Sequence, residues 1–94
     1  MLFDWDPDKA ESNFRNHGVD FADASDVIDD LNSFDSFDEF NSADEDRFII
    51  IGMCKGYILH VIYTVRGDKT RQISARKATK HEQSHYYSAK TTRR

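Results

Sequence analysis

Apolar residues in the first thirty positions recur at three- and four-residue intervals, whereas from Arg47 onward they gather in β-branched and aromatic runs. The first spacing predicts helices and the second predicts strands. Asp6 can N-cap a helix over 7–17, with Pro7 where a missing N–H costs nothing, Asp8 at the positive helix end and Gly18 as the left-handed residue that stops it. On this helix Ala10 and Phe14 are expected to face inward, while Lys9, Asn13 and His17 line one polar stripe. A second helix is expected from the N-cap Asp20 to about Asp30, burying Ala24, Val27, Ile28 and Leu31 and closing a helix hairpin.

From 32 to 46 no period survives. Phe34, Phe37 and Phe40 stand among Ser, Asp, Asn and Glu, which reads as a long acidic loop, with one short strand at most, whose phenylalanines pack on the core or on a partner. Arg47–Met53 and Tyr57–Val65 then read as two strands around the turn Lys55-Gly56. Arg66-Gly67-Asp68 makes the next turn, and Lys69–Ala75 alternates as a third strand. Thr79 and Glu82 form a capping box that opens a last helix through Tyr87, and the tail over 88–94 is expected to be flexible. The fold class is therefore α+β: one domain over 1–94, with an N-terminal helix hairpin, an antiparallel sheet of three to four strands and a C-terminal helix.

Charge changes this picture. Through Asp46 there are 15 acidic residues against Lys9 and Arg15, and from Arg47 onward 11 basic residues against Asp68 and Glu82. An acidic half is thus followed by a basic one, which points either to an anionic partner such as a phosphate backbone or to mutual attraction of the halves within the fold. A pI near 5.4 argues against indiscriminate binding to long nucleic acid. Cys54 is the single cysteine, so no internal disulfide or thiolate metal cage is available, and it reads as a small buried strand residue suited to a reducing cytoplasm. No apolar stretch approaches membrane-spanning length, and no secretory leader is legible at the N-terminus.

The opening Phe3-Asp4-Trp5-Asp6-Pro7-Asp8-Lys9, followed by Asn13 and then His17-Gly18-Val19-Asp20-Phe21, resembles the start of BrnT-family toxins. So does Arg71-Gln72-Ile73-Ser74-Ala75-Arg76-Lys77-Ala78-Thr79 with Glu82 and Tyr86 behind it, and Glu45-Asp46-Arg47-Phe48 and Ile51-Gly52-Met53 fit the family's central strands. The resemblance spans roughly 3 to 87. It implies a RelE-like domain that cleaves RNA until a BrnA-like antitoxin neutralises it, in a heterotetramer built on an antitoxin dimer, with DNA reached only through the antitoxin. Thr70 and Gln72 depart from the pattern, since relatives carry apolar residues there.

Metal-free RNA cleavage needs a base for the 2′-OH, cations for the charge that builds on phosphorus, and an acid for the 5′-oxygen. The basic half offers all three. Arg71 and Arg76 can grip phosphate, but an ideal strand puts them on opposite faces, so sharing one phosphate requires that the strand twist or end between them. Glu82 and Tyr86 are neighbours on the last helix, as are His81 and His85. The leading catalytic set is Arg71, Arg76, Glu82 and Tyr86, with His17 behind them because the family motif includes it; Lys77, Lys80 and Lys9 are the RNA-binding cations. Each has a structural alternative: Glu82 as half of a capping box, Tyr86 as a packing anchor, His17 as a helix end. His60, inside an apolar strand, reads as structural. The acidic residues between Asp29 and Asp46 lack the Gly-punctuated spacing of a dedicated metal loop, so neither metal nor cofactor is expected. The rival from another class is a module that binds RNA or protein without cutting.

Overall fold

The computed structural model describes residues 3–92 of the chain, with side chains described for 3–88. Helix α1 (Pro7–His17) begins as its sequence dictates: the Asp6 carboxylate accepts the Asp8 N–H at 2.9 Å, and Gly18, at φ 70°, returns its N–H to the Phe14 carbonyl. Its buried face differs from the expected one. Asn13 is buried and Phe14 is exposed, because the Asn13 amide docks on a strand instead of lying in a polar stripe. It accepts the Ala75 N–H at 3.0 Å and donates to the carbonyls of Ala75 and Val19 at 2.8 and 3.0 Å. One side chain thus meets the strand edge as a neighbouring strand would.

Asp20 caps the short helix α2 (Phe21–Ala24), and a 3₁₀ turn (Ser25–Asp29) replaces the rest of the expected second helix. Ala24 and Val27 are buried as anticipated, but Leu31 is 95% exposed. Asp30 explains the reversal. Its carboxylate accepts the N–H groups of Asn32 and Met53 at 2.9 and 2.8 Å and the Tyr86 hydroxyl at 2.5 Å. These bonds pin the chain to a strand and to the last helix and turn Leu31 outward.

The sheet is mixed and five-stranded, where three to four antiparallel strands were expected. Its members are β1 (Phe3–Asp4), β2 (Phe34–Phe37), β3 (Arg47–Cys54), β4 (Tyr57–Arg66) and β5 (Lys69–Lys77), in the order β1-β5-β4-β3-β2. Among the described strands β1 runs parallel to β5 and the other pairings are antiparallel. The Lys55-Gly56 turn has φ of 50° and 85°, the left-handed pair that matches strand twist in a tight hairpin. The Phe-rich segment supplies β2 and a 3₁₀ turn (Glu39–Asn41); Phe34 packs against Ile51 and its neighbours, Phe37 meets the Phe48 ring edge-on, and Phe40 is 91% exposed.

Two apolar clusters hold the layers. On one face of the sheet Phe21, Ala24 and Val27 pack with Ile50, Leu59, Val61 and Ala75. On the other, Ile51, Ile58, Ala78 and Tyr86 fasten helix α3 (Lys80–Thr92). The expected tail is helical as far as Thr92, and Arg93 and Arg94 lie outside the described residues. Among the described residues no helix is long and apolar enough to cross a membrane.

Candidate active site

The site grows out of an irregularity in β5. Arg71 stands opposite Thr64, Ser74 opposite Ile62 and Arg76 opposite His60, while the register skips Ile73. Positions 60, 62 and 64 alternate along β4, so their partners share one face. The bulge at Ile73 therefore brings Arg71, Ser74 and Arg76 onto the α3 side of the sheet, although sequence parity separates the two arginines. The strand does not end between them; it runs on to Lys77. Four residues of β4 nonetheless separate their register positions, about 13 Å along the strand. That suits successive phosphates better than a single one.

Arg76 meets Glu82 in a fork. Its Nη1 and Nη2 donate to the two carboxylate oxygens at 2.8 and 2.9 Å, and Nη1 also reaches the Lys77 carbonyl at 3.2 Å. Glu82 also completes the capping box, accepting the Thr79 N–H at 2.9 Å while the Thr79 hydroxyl receives the Glu82 N–H at 3.2 Å. One carboxylate thus serves both the helix cap and the Arg76 pair. The Arg76 hydrogen bonds, the Thr79 N–H and the nearby His60 together hold its pKa down to about 2 against the pull of burial. Behind the pair, His60 Nε2 lies 3.6 Å from Glu82 Oε2, with its side chain 10% exposed. Burial first, and then the Arg76 charge, push the His60 pKa below its ordinary range, so this imidazole is neutral at neutral pH. Sequence reasoning set His60 aside; its register opposite Arg76 is what places it at the site, and that register depends on the bulge.

The remaining candidates are more scattered. Arg71 is on the shared face but its Nε lies 3.5 Å from Asp4 Oδ1 on β1. Tyr86 is 1% exposed and gives its hydroxyl to Asp30, away from the Arg76 fork. His17 and Lys9 line a shallow cleft of about 220 Å³ between α1 and β5, together with Asn16, Ile73 and Ser74. Lys77 extends over the Tyr57 ring, its Nζ 4.3 Å from the centroid, and Lys80 is exposed on the first turn of α3. The acidic residues of the first half are dispersed: Asp23 pairs with Lys55, Asp35 with the Tyr63 hydroxyl, Asp38 with Asn41 and Glu45 with Arg66. Among the described residues no three His, Cys, Asp or Glu side chains are grouped to hold a metal.

In this small α+β domain the basic strand and the start of the last helix meet at a guanidinium–carboxylate fork, and a guanidinium is a group that suits phosphate recognition. Residues 5–82 match the family described as ribonuclease toxin, BrnT, of type II toxin-antitoxin systems. The chain belongs to that family. A comparison with curated proteins finds no match.

Proposed function

We propose that this chain is the toxin of a type II toxin–antitoxin pair, of RelE-like architecture, and that it cleaves RNA in the cytoplasm without a metal until a BrnA-like antitoxin covers it. The complex is read as a heterotetramer on an antitoxin dimer, with DNA contacted only by the antitoxin. The Arg76–Glu82 fork carries this reading. A phosphate presents the same pair of oxygens to a guanidinium as a carboxylate does, and the Arg76 side chain is 36% exposed, so substrate can exchange with Glu82 for the fork. Arg76 then faces the charge that develops on phosphorus; the displaced Glu82 carboxylate, free of its cation, becomes basic enough to take the 2′-OH proton as the 2′-oxygen bonds to phosphorus, and the bond to the 5′-oxygen breaks with that oxygen protonated by water. A carboxyl held near 2 is ionised at neutral pH, which fits an acceptor and not a donor. Arg71 and Lys80 hold the RNA to either side, Lys77 adds charge at the rim, and Lys9 with His17 borders the strand's far edge. Tyr86 anchors α3.

Purified chain should degrade RNA in EDTA. Arg76→Ala should retain its circular-dichroism spectrum and lose cleavage by about 10²–10³-fold, the usual cost of one transition-state donor. Undiminished cleavage by the folded variant would remove Arg76 from the chemistry. Salt-sensitive RNA binding with no cleavage at enzyme excess would instead favour a non-catalytic binding module.

A further inference from the structure

The acidic segment has a structure that its composition does not explain. Strand β2 is the last strand of the sheet, paired with β3 on one side, and no strand stands beyond it among the described residues. Asp35, Ser36 and Phe37 on it are exposed. Leu31 and Phe40, at 95% and 91% exposure, lie three residues before its start and three after its end. Large apolar groups so placed frame an edge that main-chain hydrogen bonds can extend. Beside Phe40 a surface cavity of about 240 Å³ is lined by Asn41, Ala43, Asp44, Glu45 and Arg47, with Glu45 paired to Arg47 and Arg66. Between Asp29 and Asp46 there are eight acidic residues and no basic one.

We propose that β2 and its flanks are the docking edge for an extended, basic segment of the antitoxin, which adds a sixth strand to the sheet. Apolar side chains of that segment meet Leu31, Phe37 and Phe40, and a lysine or arginine enters the cavity beside Asp44. The charge selects the occupant: a phosphate backbone is repelled, and in a second copy of this chain the outer edge of the cationic β5 is already met by β1 at Thr70 and Arg71 and by the Asn13 amide at Ala75. The partner's identity as an antitoxin rests on the toxin reading; the docking edge itself rests on geometry and charge. It also leaves the Arg76 fork on another part of the molecule, so neutralisation requires the antitoxin to reach from this edge to the catalytic face.

The test is amide hydrogen exchange on the free chain and on the chain co-expressed with the protein of the adjoining reading frame. Exchange over 34–40 should slow at least tenfold in the complex. The double variant Leu31→Lys, Phe40→Lys changes two exposed side chains, so it should cut RNA as the parent does while binding the partner at least tenfold more weakly. Unchanged exchange over 34–40, undiminished binding by the double variant, absence of any complex, or protection of this edge by self-association would each overturn the proposal. Protection of β2 by the partner without RNA cleavage by the free chain would leave the docking edge standing and sink the toxin reading instead.

Discussion

At Glu82 one carboxylate accepts the Thr79 amide and two N–H groups of Arg76, and the cation depresses its pKa from 4.5 to about 2. Because the folded value lies below the ordinary one, this group's contribution to stability is complete above about pH 4.5 and is lost as pH falls toward 2. The shift corresponds to about 3 kcal/mol, which solvent at the Arg76 rim reduces to roughly 1–2 kcal/mol. Glu82→Gln should therefore lower the melting temperature at pH 7 and flatten the loss of stability between pH 4.5 and 2. His60, its pKa pushed down chiefly by burial, starts its own acid-sensitive window at higher pH, below about 6.5, so the Glu82 effect is read under 4.5. An acid-unfolding curve identical to the parent's would show that the fork contributes nothing to the fold.

Among the elements, β3 depends on a glycine for its contact with the 3₁₀ turn. A Cβ on Gly52 would lie 3.0 Å from the Cβ atoms of both Val27 and Ser33 and 3.1 Å from the Val27 carbonyl oxygen. Backbone and β-carbons cannot swing aside, so Gly52→Ala should cost about 1–3 kcal/mol, measured by denaturant titration. A midpoint unchanged from the parent would mean that the turn yields freely. The long strands and α1 were legible because their signals are local: runs of β-branched residues, a proline and a glycine at the helix ends. The second helix was not, since Asp30 finds its partners on β3 and α3, far away in sequence. β1 is not legible, and β2 only as the one short strand the acidic loop could hold, for a related reason: two and four residues are too few for a period, and what defines them is the strand beside them. At the candidate site, the meeting of Arg76 with Glu82 follows from a capping box six residues downstream, whereas the approach of His60 to Glu82 and the bond of the Tyr86 hydroxyl to Asp30 depend on register and on distant partners.

For the molecule as a whole, the polarity of the sequence is met in part within the fold, where Lys55, Arg66 and Arg71 pair with Asp23, Glu45 and Asp4, while Arg76, Lys77 and Lys80 gather at the end of β5 and the start of α3. If RNA tracks the basic side through about three to five phosphates, the logarithm of affinity should fall with the logarithm of salt at a slope of roughly −2 to −4. A slope near zero in a filter-binding titration would show that phosphates are not the contact. The overall acidity does not oppose this, because screening over about 10 Å isolates one side from the other at ordinary salt.

The supernumerary residue Ile73 acts on β5 as a frameshift acts on a reading frame. Upstream of it, Thr70 and Gln72 are directed into the interior, and Gln72 reaches the Phe21 carbonyl at 3.1 Å. Downstream, Ala75 takes the interior position and Arg76 the outer one. Were Ile73 instead taken into regular pairing, inside and outside would exchange along half of the strand, sending Arg71 into the core and Gln72 to the opposite side, with no change in the sequence itself.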